Sequence, residues 1–283
     1  MDNKISEVID KLIPRGGNKP DRICVSLEEY LSRLSNLNRK LYGTKHRMTQ
    51  WKKLCEEHLT EFSKSRLVQE PIDFGENRLG SVFTYSSRDI RLENEFEVLL
   101  YSITSALSSV ARVVACFIKN STHFHSHSKL YDLLKKQKDF EDIQLLVSEA
   151  CDVWATEFID RRDIATHYIA LSITSSVSAS KKGNEIESKT VTKIALTKKP
   201  IKYVSLWDDI LPTLNGSSHE AQFGSDGEEI HKLLDAKNQV IVLRESPLPE
   251  KPEMIDGEKY VDTVYEYFNQ YILNLLSALV SRL

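Results

Sequence analysis

Residues 158–173, FIDRRDIATHYIALSI, place two arginines, two aspartates and a histidine in an otherwise apolar run. Charges of both signs are costly to bury there unless they are paired or take part in chemistry. The pattern predicts a helix that begins near Asp160–Arg162, with Asp160 as its N-cap. On that helix Asp163 and His167 lie one turn apart and share a face, separated by about 40° around the axis. The carboxylate can then hold one imidazole nitrogen and leave the other directed outward. Arg162 lies roughly 140° from His167 on an ideal helix, so the two converge only if the arginine sits in the first turn and curls over the helix end. Free N–H groups and the helix dipole favour an anion at such an end. A guanidinium adds a two-pronged phosphate clamp, and histidine can move a proton near neutral pH.

This set of groups suits phosphodiester chemistry. RNA requires no metal for it, because the 2′-hydroxyl is an internal nucleophile. The expected reaction is transesterification, leaving a 2′,3′-cyclic phosphate and a 5′-hydroxyl. His167 would act on the 2′-hydroxyl or the leaving oxygen, and Arg162 would stabilise the charged phosphorane. The adjacent Arg161 points about 100° away from Arg162 and is expected to pair with Glu157, its i−4 neighbour. Spacing alone favours a plainer reading, a capped helix start with an Asp163–arginine pair and a buried, hydrogen-bonded histidine, since an arginine five residues before a histidine is common by chance.

Other candidate groupings carry less. The run HFHSH sets His123, His125 and His127 at alternate positions, which on a strand would share one face and suit zinc. No fourth ligand lies close in sequence, so a solvated loop between helices is the expectation. GENRLG lacks the Lys-Ser/Thr and preceding strand of a phosphate loop. Asp208 and Asp209, in WDDILP, read as the cap and first-turn charges of a helix. Neither a metal nor a cofactor is expected.

The elements that must position Arg162, Asp163 and His167 follow from apolar periodicity. From Leu92, the positions Phe96, Leu99, Leu100, Ile103, Leu107, Val110, Val114 and Phe117 recur at spacings of three and four, predicting a helix of about seven turns. Its other face carries Ser102, Ser105, Ser108 and Ser109, small enough for close helix approach. So long a stripe asks for partners along its whole length, and a second copy of the chain is one way to supply them. DFEDIQLLVSEACDVWATEFI predicts another long helix, and Tyr260, Val264, Phe268, Tyr271, Leu275 and Leu279 stripe a closing one. Residues 26–43 and 48–68 read as two helices separated at Gly43, and SKLYDLLKKQ as a short one. Residues 71–91 lack a helical period and predict loop or short extended structure. SVSASKKGNEIES reads as a turn-rich link; KTVTKIAL, IKYVSL and NQVIVLRE read as strands of a small sheet, with NGSSHEAQFGSDGEE as a surface loop.

The 283 residues have a net charge of −3, with 41% hydrophobic and 28% charged side chains, the profile of an ordinary globular protein without a global basic field. Cys24, Cys55, Cys116 and Cys151 are scattered without a paired motif, which predicts free thiols in a reducing cytoplasm. The first residues are too charged for a secretory leader. No run was expected to span a membrane, which takes about 20 apolar residues.

The segment EFIDRRDIATHYIALSI, preceded by the long helix RLENEFEVLLYSITSALSSVARVV, resembles the HEPN superfamily (higher eukaryotes and prokaryotes nucleotide-binding). That family carries an arginine, a polar residue, a few further residues and a histidine at the start of the last helix of a four-helix bundle; Arg162, Asp163 and His167 match in that order. The resemblance covers about residues 90–178. It implies a mainly α chain whose residues 90–283 form a HEPN-like four-helix bundle, with residues 1–89 as an N-terminal helical extension and a small β insertion at about 185–250 before the closing helix. It implies a homodimer with a composite active site acting on RNA as a metal-independent endoribonuclease in a defence or toxin system, or else a non-catalytic module that binds a nucleotide or a protein. The toxin branch has a tyrosine two residues after the histidine. Here Tyr168 follows His167 directly and Ile169 stands at the tyrosine's place, so regulation through that tyrosine is not carried over.

Overall fold

The computed structural model describes residues 3–14, 18–64, 82–121, 126–167, 172–182, 185–196, 218–223, 229–234, 240–242 and 253–283. Among these the chain is mainly α. Its helices are α1 (Asn3–Leu12), α2 (Leu27–Ser63), α3 (Ile90–Ala115), α4 (Leu130–Leu134), α5 (Glu141–Ala150), α6 (Thr156–His167) and α7 (Gly257–Val280). IKYVSL, Asp208 and Asp209 lie outside the described residues.

Helix α3 is the centre of the helical part. Its predicted stripe is buried in full, from Leu92 through Phe117. Helix α2 lies antiparallel along it. Arg33 donates to the Arg112 carbonyl at 3.1 Å, Thr44 shares a hydrogen bond with Ser102 at 3.0 Å, and Arg47 reaches Glu95 at 3.4 Å, so the α2 number rises as the α3 number falls. The serines of α3 permit this approach, as their size suggested. Trp51 and Phe96 fill the interface, with ring centroids 5.3 Å apart. The stripe that seemed to need a second copy is therefore satisfied inside one chain, and that argument for a dimer falls. Helix α3 is also long and apolar enough to cross a membrane, which differs from the expectation for the chain; most of its apolar side chains are buried, with Ile90, Val98 and Tyr101 exposed.

Helix α2 runs unbroken through Gly43, where two helices were expected. A lone glycine inside a helix costs only about 1 kcal/mol, and the buried series Leu34, Leu37, Leu41, Met48 and Trp51 holds both sides of it in register. Helices α5 and α6 are likewise one continuous rod, joined by a π-helical turn at Cys151–Ala155. This rod lies antiparallel to α7. Arg282 pairs with Asp142 at one end, Trp154 meets Phe268 and Tyr271 in the middle, and Arg161 covers Tyr260 at the other.

The sheet begins earlier than predicted. Strand β1 (Val82–Arg88) pairs antiparallel with β2 (Ser172–Lys182), and β2 with β3 (Glu185–Leu196). The expected turn-rich link at SVSASKKGNEIES is thus largely a hairpin, in which Val177 stands opposite Thr190 and Ala179 opposite Ser188. Backbone pairing fixes these small polar residues in strands despite their weak apolar pattern. Strand β7 (Glu253–Asp256) completes the order β1-β2-β3-β7. The chain divides into one unit of Met1–Ala195 with Met254–Leu283, and a second of Leu196–Glu253. Residues 3–64 fall in the same unit as the helices that follow them. The second unit contains an antiparallel sheet of β4 (Ser218–Phe223), β5 (Glu229–Leu234) and β6 (Val240–Val242). Strand β4 falls within the stretch read as a surface loop, and β5 begins at its last residue, Glu229.

Two glycines make opposite predictions. A Cβ on Gly43 would meet nothing within 4 Å, whereas one on Gly257 would lie 2.8 Å from the Ile194 side chain and 3.3 Å from the Thr192 carbonyl oxygen. Gly43→Ala should stabilise the fold by about 0.5–1 kcal/mol, and Gly257→Ala should destabilise it by about 1–3 kcal/mol through overpacking. Urea unfolding midpoints of the two variants check both signs.

Candidate functional site

The residues of the Arg-Asp-His grouping come from the last turns of α6, because the rod from Glu141 does not stop where a new helix was predicted to begin. No proline or glycine interrupts residues 141–167. Ile143, Val147, Ala150, Trp154, Ala155 and Phe158 give it a buried face throughout. The π turn contains one more residue than an α turn would, and so re-phases that face between Ala150 and Phe158. Asp160 is consequently an interior helical residue and not an N-cap. The free N–H groups and positive dipole end inferred for this place are absent from it. His167 is the last described residue of the helix, so the grouping lies towards its C-terminal part, where carbonyl groups gather and the field favours a cation. Binding of an anion here would fall to side chains.

The two arginines diverge as the rotation of about 100° between neighbours requires. Arg161 forms an ion pair with Glu157, one turn earlier, and lies over the Tyr260 ring of α7 at 5.0 Å. Burial raises the Tyr260 hydroxyl above its ordinary pKa, and the Arg161 charge opposes that rise. Arg162 turns the other way, towards α3, where its guanidinium lies 5.8 Å from the Tyr101 ring. Tyr101 keeps 38% of its surface exposed, so the Arg162–Tyr101 pair borders solvent. The side chains of Asp163 and His167 lie outside the described residues. What joins them to Arg162 is therefore the helix itself, with Asp163 and His167 one turn apart on its backbone.

The aromatic cluster behind the grouping includes a residue of the histidine run. His127 is buried and hydrogen-bonded through Nε2 to the Tyr271 hydroxyl at 2.7 Å. The rings meet edge to face, 5.4 Å apart, and Trp154 lies against the same tyrosine. The solvated loop expected at this position is thus corrected for His127, which is a core residue. His123 and His125 lie outside the described residues. Among the described residues no group of three or more His, Cys, Asp or Glu side chains could hold a metal.

One polar pair has no signature in the sequence. His58 of α2 bonds through Nδ1 to Asp89 Oδ2 at 2.8 Å, and Asp89 Oδ1 caps α3 by accepting from the Arg91 backbone N–H at 2.8 Å. The Arg91 side chain also donates to Asp89 and to Glu61. Hydrogen bonding from Arg91 is the main cause that lowers the Asp89 carboxyl to about 2. The separation of 31 positions between His58 and Asp89 hides the pair from any local pattern. Its geometry is that of a clasp across the ends of α2 and α3, with both carboxylate oxygens engaged.

No family model, curated protein or solved structure matches the chain.

Burial lowers His127 from 6.5 to about 4. The unfolded chain takes up a proton there that the folded chain refuses, so the contribution is complete above about 6.5, declines down to about 4 and is level below. Thermal midpoints measured across that window should fall as pH falls. His127→Gln should flatten that part of the profile.

Proposed function

We propose that the chain is a metal-independent endoribonuclease of HEPN type, cleaving RNA by attack of the 2′-hydroxyl on the adjacent phosphodiester. The observation that carries this reading is the solvent-bordering Arg162, stacked at Tyr101 on the same helix that presents Asp163 and His167. The guanidinium supplies charge for the phosphorane. The histidine supplies a proton-transfer group, and the aspartate one turn earlier orients it. Within residues 90–283 the packing of α3, the α5–α6 rod and α7 on one another lends it support in outline, although Arg162, Asp163 and His167 stand late in their helix where the family's motif opens one.

The reading keeps two copies of the chain facing each other across one RNA-binding cleft, although the buried stripe no longer argues for them. It also keeps a cytoplasmic location and a part in a defence or toxin system. A second reading, a non-catalytic HEPN-type module binding a nucleotide or a protein, is favoured by the half-buried state of both arginines and their packing on tyrosines. Under that reading Arg162 fastens α6 to α3 and has no reacting group to serve.

Purified protein incubated with mixed RNA in EDTA should leave cyclic-phosphate and 5′-hydroxyl ends. His167→Ala should lower cleavage by about two to four orders of magnitude, with Arg162→Ala of similar effect and the double variant little worse than either. Asp163→Asn should be milder, and Arg161→Ala should act chiefly on stability through the lost Glu157 and Tyr260 contacts. Absence of cleavage by wild type, with a collapsed thermal transition in His167→Ala, would decide for the binding module. Sedimentation at tens of micromolar should show a dimer.

A further inference from the structure

Between α2 and α3, away from the α6 grouping, lies a groove of about 520 Å³ lined by serines, Asn36, Arg33, Arg39 and Arg112. Arg33 is committed to the fold. It pairs with Glu29 and donates to the Arg112 carbonyl and the Cys116 sulfur. Asn36 donates to Ser109 Oγ at 3.4 Å and accepts from Arg39 at 2.9 Å, which sets the Arg39 guanidinium over the groove. Among the described residues neither Arg39 nor Arg112 meets a carboxylate, and Arg112 Nε is buried without a hydrogen-bond partner. The buried, unpartnered N–H of Arg112 is costly without an acceptor, and the exposed Arg39 beside it adds a second positive charge that favours an anion in the same concavity. No lining side chain is apolar or aromatic, so nothing there can stack a base or enclose a ring. The site can read charge and phosphate oxygens only.

The groove also lies on the face of α3 that carries Tyr101. Eleven residues separate Tyr101 from Arg112, a rotation of about 20° and a rise of about 16 Å on an ideal helix. The partly exposed Ser105 and Ser108 lie between them on that face. A stacked strand advances about 3.4 Å per phosphate, so roughly five phosphates bridge the distance from the Arg162–Tyr101 pair to Arg112. We infer that the Arg39–Arg112 groove is a phosphate-binding subsite for the backbone of a single nucleic-acid strand running along this face of α3. The inference rests on the nucleic-acid reading above, and it adds a sequence-independent anchor remote from the reacting phosphate.

The test uses the full chain and a fluorescein-labelled single-stranded DNA 12-mer, which has no 2′-hydroxyl and so survives the proposed chemistry. Anisotropy is followed from 50 to 200 mM salt. Arg39→Gln/Arg112→Gln should weaken binding about tenfold and flatten the salt dependence by about 1.4, two single-strand contacts at about 0.7 each. Lys52→Gln, which removes a cation of α2 paired with Asp262, should leave both unchanged. Should the double variant fail to fold, the exposed Arg39→Gln alone should give about half the change in slope. Unaltered affinity and slope in a folded double variant, with wild type still binding, would overturn the groove and leave the RNA reading standing. Wild type binding the 12-mer without cleaving RNA would keep the groove and remove the catalytic reading. Stabilisation by inorganic tripolyphosphate without strand binding would overturn the strand in favour of a small polyanion.

Discussion

Helix α3 cannot be left in water. Fifteen of its residues are buried, and each large apolar side chain among them contributes about 1.5–3 kcal/mol on leaving solvent. The remaining elements are arranged by the need to cover it. Helix α2 covers the serine side, where small side chains let the backbones approach and Thr44, Ser102, Asn36 and Ser109 satisfy one another. Helices α6 and α7 cover further faces. The sheet is tied to its first turn by a single buried carboxylate, Glu93, which accepts the Ile173 backbone N–H at 3.1 Å.

Burial also explains the division of labour among the charged groups. Arg33, Arg161 and Arg282 each pair with a nearby carboxylate, of Glu29, Glu157 and Asp142 respectively, and pack their stems against neighbouring elements. Arg39 and Arg112 meet no carboxylate among the described residues, and Arg162 faces Tyr101 at a solvent border. The Arg39–Arg112 groove thus places positive charge along one side of α3. A chain whose net charge is −3 can in this way present a local positive track without a global basic field.

The position of Arg162 within its helix changes how any chemistry there must work. A helix N-terminus would have supplied backbone donors already aimed at a phosphate. The observed rod brings its C-terminal part instead, so charge stabilisation has to come from guanidinium groups on tyrosine faces. The π turn at Cys151–Ala155 is part of the same solution: it keeps Trp154 on the aromatic core and lets the helix continue to His167.

The sequence by itself determined the long helices. The Leu92–Phe117 stripe, the Ile143–Phe158 stripe and the closing stripe of α7 are period-3.6 patterns, and a pattern of that length has one low-energy way to bury itself. The Arg161–Glu157 pair was legible for the same reason, being set by helix geometry one turn apart. Tertiary structure decided what local signals leave open. Gly43 and Asp160 look like boundaries in isolation, but packing on both sides outweighs the small cost of carrying a helix through them. Strand β2 is rich in serine and pairs on one side with β1, far away in the chain, and the His58–Asp89 clasp and the arginine groove each join side chains distant in the chain. Such contacts depend on which helix faces which, and only the burial of α3 against its neighbours fixes that.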